Sequence, residues 1–130
     1  ALLHDYGHFI LEDPDKLVNK KKDGKHEDIA YQYLKKYFKK NVVEPIKNHV
    51  KAKRYLARNV KYYKILSPAS KVSLHLQGGV MNDLEAENFE KNKFFKDSIK
   101  LRKFDEAAKK KDIKIKNIDE YKSILISNLL

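Results

Sequence analysis

The chain contains no cysteine and no tryptophan. Without thiols it forms no disulfide and no thiolate metal site, so any metal it binds is held by imidazole and carboxylate. Glycine and proline are scarce, at four and three residues, and no Gly/Ser linker or internal repeat is visible. No apolar run approaches the roughly 20 residues of a membrane span. No signal peptide is recognisable either, so a cytoplasmic location is expected. Arginine is scarce as well: only Arg54, Arg58 and Arg102 stand among 29 basic residues. That scarcity bears on the formal net charge of +11. Nucleic-acid readers rely on Arg for bidentate contacts to bases and phosphates. Here the charge is lysine, spread over residues 20–22, 35–36, 39–40 and 109–111. A solvated lysine surface is therefore expected, with nucleic acid not a partner, although such a surface still attracts small anions.

What is present fits one domain. The 130 residues, 42% hydrophobic and 36% charged, are enough for a single buried core with a wet surface. Apolar spacing is helical and no stretch alternates with period two, so an all-α fold is expected. Residues 1–9 read as the tail of a helix and residues 10–25, with Pro14 and Gly24, as a loop. Residues 26–38 read as a helix burying Ile29, Tyr33, Leu34, Tyr37 and Phe38. A helix over 42–57 follows, with Pro45 in its first turn, where a missing N–H costs little. Ser67-Pro68 caps and starts another, which Gly78-Gly79 ends. An acidic helix from about 82, a longer one over 93–108 and a last one over 119–129 complete the chain. The last carries Tyr121, Ile124, Leu125 and Leu129 on its apolar side. Ala1 opens the chain with neither Met nor N-cap, so a fragment of a longer protein is expected.

Five histidines are candidates for chemistry: His4, His8, His26, His49 and His75. His4 and Asp5 are adjacent, pointing about 100° apart if helical, so they can approach one centre from two sides. Gly7 permits close approach of backbone or ligand. His49, Lys53 and Leu56 share one helix face at i, i+4 and i+7, and Arg102 and Asp105 share another at i, i+3 among the apolar Leu101, Phe104 and Ala108. A carboxylate and a guanidinium carried into a core need partners; the plainer reading is a surface ion pair of little worth. His75 stands outside these groupings and reads as structural or exposed.

Taken in order, His4-Asp5-Tyr6-Gly7-His8, His26-Glu27, His49-Val50-Lys51-Ala52-Lys53-Arg54-Tyr55-Leu56, the serine-rich stretch Leu66-Ser67-Pro68-Ala69-Ser70 through Ser73-Leu74, Gln77-Gly78-Gly79 with Met81, and Leu101-Arg102 with Asp105 resemble the HD superfamily. The closest likeness is to its mixed-valent diiron oxygenases of phosphonate catabolism. The resemblance covers almost the whole chain. It implies a helical HD domain lacking its N-terminal part, whose first metal-ligand helix, with one further His, lies upstream. It implies two iron ions, Fe(II)/Fe(III), held by His4, Asp5, His26, His49 and Asp105, with Asp5 bridging. Asp5 and His8 are the catalytic residues it implies, and His8, Lys53, Ser70, Ser73 and Arg102 would hold the substrate. The implied reaction is dioxygen-dependent cleavage of the carbon–phosphorus bond of a hydroxylated aminoalkyl phosphonate, releasing phosphate. With one ligand upstream, the fragment by itself is expected to be inactive. Two other readings stand beside it: an HD phosphohydrolase acting on a nucleotide or phosphate ester through metal-activated water, using the same His and Asp residues, and a lysine-rich helical binding module without catalysis, which leaves those residues unexplained.

Overall fold

In the computed structural model, which describes residues 1–11 and 25–130, the described residues form helices and turns, and their one β-bridge joins Phe38 to Leu129. The elements are α1 (Tyr6–Leu11), α2 (His26–Leu34), α3 (Lys40–Leu56), α4 (Val60–Ile65), α5 (Pro68–Leu76), α6 (Asp83–Glu90), α7 (Phe95–Ala108), a 3₁₀ turn (Ile118–Tyr121) and α8 (Lys122–Ser127). The expected all-α bundle is what is found. None of these helices is long and apolar enough to cross a membrane.

Helix α3 is the spine. Its N-terminal half packs on α2 and α7 through Ala30, Leu34, Val43, Ile46 and Leu101. Its C-terminal half packs Ala52 on Met81 and Phe89, and Ala57, just beyond it, on Leu66 and Leu74. This divided core places one long helix beneath both the histidines and the cations discussed below. Arg54 fastens the far end: its Nε donates to Gly79 O at 2.8 Å and its Nη2 to Glu85 Oε1 at 2.8 Å. Gly78 passes so close to that guanidinium that a Cβ there would lie 3.2 Å from Arg54 Cζ, and its φ of +107° is itself one that glycine accepts most readily. The Gln77–Gly79 turn is thereby held against α3.

Local side-chain caps account for the starts of α4, α5 and α6 among the described helices. Ser67 caps α5 with Pro68 in the first turn, and Asn82 with Glu85 forms a reciprocal capping box on α6. Several boundaries differ from the sequence reading. His4 and Asp5 lie in tight turns before α1 rather than within a helix, wound by bonds such as His4 N to Ala1 O. Ile10 and Leu11 belong to α1, and residues 12–24 of the expected loop, Pro14 and Gly24 included, lie outside the described residues. α2 stops at Leu34, and Tyr33 and Tyr37 are exposed, not buried. Ala30 and Leu34, rather than Tyr33 and Tyr37, are the buried core residues of α2 against α3, with Tyr31 partly buried beside them. Pro45 sits well inside α3 rather than in its first turn, since the helix already begins at Lys40. Helix α4 was not foreseen; it buries no residue and so shows no apolar period, and Asn59 starts it by accepting from Lys61 N and Tyr62 N. Ile124 of α8 and Leu129, two residues past its end, are exposed. The C-terminus is instead tied by backbone bonds, Leu130 N to Tyr37 O and Lys39 N to Asn128 O.

Candidate metal centre and anion pocket

All five expected metal ligands converge. His26 and His49 bring their Nε2 atoms within 3.0 Å. Asp5 lies 3.7 Å from His26 and 3.2 Å from His4, whose Nε2 is also 3.4 Å from Asp105. The His4 and His49 rings meet edge to face at 5.4 Å. Ligand atoms of Asp5, His26 and His49 all lie within 4.8 Å of one another, a group able to hold a metal ion. Close backbone approach makes this possible. A Cβ on Gly7 would sit 1.9 Å from His26 O, so glycine lets α1 lie directly on the start of α2.

The tautomers suit a cation. His49 Nδ1 is 2.6 Å from Ile46 O and His4 Nδ1 is 2.6 Å from Ala1 O. A carbonyl only accepts, so in each ring Nδ1 carries the proton donated there. A neutral ring then leaves an Nε2 lone pair facing the cluster. His49 is kept neutral by burial, which with the nearby His26 and His4 takes its pKa down to about 4 despite the Ile46 bond. His26 Nδ1 lies 3.5 Å from the buried Glu27 carboxylate, the kind of contact that orients a ligating imidazole.

His4 behaves oppositely. Burial disfavours its charged form, but bonds to Asp105 and Asp5 outweigh that and raise its pKa to about 9. Asp5 is correspondingly held well below the usual carboxylate range, mainly by His4. In the metal-free protein a proton on His4 is the cation between two carboxylates. Its stabilising effect is fully present below His4's ordinary value of 6.5 and is lost as pH rises through about 9. A metal held through His4 Nε2, as the sequence resemblance implies, would have to displace that proton. Apparent metal affinity is therefore expected to rise about tenfold per pH unit through neutrality and to level off near pH 9. Calorimetric metal titrations in buffers of different ionisation enthalpy check this; uptake at pH 7 without proton release would contradict it.

Next to the metal cluster lies a cationic one, and Asp105 joins them. One Asp105 oxygen faces His4 while the other accepts from Arg102 Nη1. Burial alone would raise the Asp105 pKa, yet His4, Arg102 and Lys109 bring it down. Lys53 and Arg102 are each only 5% exposed, which overturns the plainer reading of Arg102 as a surface ion pair. Lys53 Nζ donates to Ser73 Oγ at 2.5 Å and to Gln77 Oε1 at 3.1 Å. Burial, with repulsion from Arg102 and Lys109, lowers its pKa to about 8. Ser73 Oγ passes a hydrogen bond to Ser70 O, and Ser70 Oγ faces Lys109 Nζ at 3.5 Å. His8 stacks on His26 with ring centroids 4.0 Å apart and lies 3.9 Å from Asp5, more than half exposed, at the mouth of the site. His75 is exposed and takes no part.

Lys53, Ser70, Ser73 and Arg102 thus belong to one network of contacts running through Lys109 and Glu106, while His8 stands apart beside His26 and Asp5. Sequence reasoning gave no role to Gln77, Tyr62, Glu106 or Lys109, which belong to that network too. Gln77 stands in the Gln77-Gly78-Gly79 stretch, and Glu106 and Lys109 repeat the Arg102 face at i+4 and i+7, signals that were available. Tyr62 had none, because α4 has none.

A protein of such geometry can be set beside known ones. Over 123 residues the chain is 44% identical to hydroxymethylphosphonate dioxygenase of Gimesia maris, covering 93% of this chain and 61% of that protein. Over that stretch the chain is similar to a phosphonate dioxygenase. A second such relative, 41% identical over 114 residues, is the glycine-betaine-forming [1-hydroxy-2-(trimethylamino)ethyl]phosphonate dioxygenase of Leisingera caerulea, with 87% of this chain and 58% of that protein matched. A third, 40% identical over 132 residues (99% of this chain, 60% of the other), is an uncharacterized protein of Acanthamoeba polyphaga mimivirus. The chain therefore spans about three fifths of the length of these relatives. No protein-family model matches it.

Proposed function

We propose that the protein of this chain is a dioxygen-dependent diiron oxygenase that cleaves the carbon–phosphorus bond of a 1-hydroxyalkyl phosphonate, hydroxylated aminoalkyl phosphonates included. The observation that carries this reading is the convergence of five His and Asp ligands beside two buried cations, Lys53 and Arg102. His4, Asp5, His26, His49 and Asp105 would hold two irons, Fe(II)/Fe(III), with Asp5 central to the group. Such a centre supplies the activation of dioxygen that side chains cannot provide. The net reaction consumes one dioxygen, breaks the C–P and C–H bonds at the hydroxylated carbon, and yields a carboxylate, phosphate and a proton. The names of two relatives, a hydroxymethylphosphonate dioxygenase and a glycine-betaine-forming one, support it.

The chain's own residues would bind and orient. A phosphonate dianion needs charge-assisted donors, and Lys53, Arg102, Ser70 and Ser73 offer them with His8 at the mouth. Lys53, whose pKa burial brings down to about 8, is held more firmly protonated when an anion arrives. The test is phosphate release from hydroxymethylphosphonate by iron-loaded protein, with and without dioxygen. Release that needs no dioxygen, or that proceeds with phosphate esters and redox-inert divalent metals, would place the protein among the HD phosphohydrolases.

Lys53 separates substrate binding from metal binding. Its ammonium touches Ser73 and Gln77 and none of the five expected ligands. Lys53→Ala is expected to raise the substrate concentration needed by about tenfold to a hundredfold, the equivalent of one charge-assisted contact of roughly 1.5–3 kcal/mol, and to leave iron content near normal. Iron per chain measured beside steady-state kinetics decides it. Iron loss as severe as from a ligand variant would make Lys53 part of the metal scaffold.

A further inference from the structure

Helix α7 carries a carboxylate in an unusual setting. Glu106 Oε1 accepts from Arg102 Nη2, lies 3.4 Å from the Tyr62 hydroxyl, which donates to it, and is 3.5 Å from Lys109 Nζ. Arg102, almost wholly buried, also donates from Nε to Tyr62 at 3.0 Å. Lys109 reaches Ser70 Oγ as well. The partners of this one oxygen thus come from α4 and α7, and through Lys109 from α5.

We propose that Glu106 is an internal stand-in for the substrate's anionic head group. Its carboxylate occupies the pocket of Arg102, Tyr62, Lys109 and Ser70, swings out when a phosphonate or phosphate dianion enters, and leaves Lys109 as a further ligand of that dianion. This rests on the functional reading above and deepens it by assigning residues that reading left without a role.

Charge and donor number support the exchange. Lys53, Arg102 and Lys109 are three cations facing two carboxylates, Asp105 and Glu106. Asp105 answers to His4 and the proposed irons on its other side, so Glu106 is the carboxylate left among these cations. A dianion entering beside it would meet its charge at close range in a mostly buried place, a cost that its departure removes. A carboxylate has two oxygens in one plane, whereas a phosphonate has three in a pyramid. The two lysine ammoniums, the Arg102 Nη2, the Tyr62 hydroxyl and the Ser70 hydroxyl offer more donors than a carboxylate uses. An exit exists too. The Glu106 side chain is 19% exposed and that of Lys109 45%, and the two residues between them, Ala107 and Ala108, are small and exposed.

An ordinary i, i+4 helix pair would share the Arg102–Glu106 contact but would have no reason to compete with an anion. The experiment uses metal-loaded protein and calorimetric binding of two probes, inorganic phosphate and hydroxymethylphosphonate. Glu106→Gln keeps an acceptor for Arg102 and removes the competing charge, so it is expected to tighten both probes about tenfold. Lys109→Ala, a change at a half-exposed side chain that the fold tolerates, is expected to weaken both about tenfold. Unchanged or weaker binding in Glu106→Gln, with Lys53→Ala still weakening it, overturns the stand-in role and leaves the phosphonate pocket standing. Binding insensitive to Lys53→Ala as well overturns both.

Discussion

If the centre is the diiron site proposed above, replacing His49 by alanine is expected to strip the protein of iron. His49 is 4% exposed, and its neutral ring has Nδ1 fixed on Ile46 O and Nε2 within 3.0 Å of His26 Nε2. No other side chain can substitute from that position on α3. Changing a residue that merely supports a ligand commonly costs 10- to 100-fold in metal affinity, so removing this imidazole is expected to exceed about 100-fold. The measurement is iron per chain after anaerobic reconstitution, with circular dichroism to show that the helices persist. His75→Ala, at an exposed position away from the cluster, serves as the control and keeps its iron. A His49→Ala protein that is folded and still replete with iron would remove the metal centre described here.

Gly7→Ala is expected to do nearly as much harm from outside the ligand set. The added methyl would meet a backbone oxygen, His26 O, at 1.9 Å, with His26 C at 2.7 Å and Cα at 3.0 Å. Backbone cannot rotate away as a side chain does, so α1 must back off from α2. Overpacking of this kind costs roughly 1–3 kcal/mol, occasionally more. Because His4 and Asp5 lead directly into α1 while His26 opens α2, the displacement separates the two halves of the metal cluster. Loss of metal affinity of about 10- to 100-fold is expected, together with a lower melting temperature. Titrating metal into the variant and following its thermal unfolding check both. Full affinity in a normally stable Gly7→Ala protein would mean that the close approach of α1 and α2 is not what assembles the site.

The legibility of this molecule in its sequence follows from where each signal resides. Caps are local, so Ser67-Pro68 and Asn82 announced α5 and α6 correctly. Ligands arranged in order along a chain are also readable, and the five expected ones meet. Burial is less so: Tyr33 and Tyr37 fit a helical period but lie outward, because the period marks a face without saying what covers it. Helix α4 buries nothing, and Tyr62 reaches Arg102 only through packing that brings α4 beside α7. Glu106 and Lys109 shared a visible face with Arg102, but their meaning depends on Ser70 and Tyr62, 39 and 44 residues away in sequence.

Asp105 gives the two clusters a common thermodynamic account. One of its oxygens answers to His4 and the other to Arg102, so neither neighbour can change its hold without altering the other's. An anion that engages Arg102 loosens that guanidinium's claim on Asp105 and leaves more of the carboxylate for a cation on the far side. By linkage, whatever factor the anion adds to metal affinity, the metal adds to anion affinity. On the proposed reading, metal and head group would then be heterotropic partners, and a dissociation constant for either one would need the saturation of the other stated beside it.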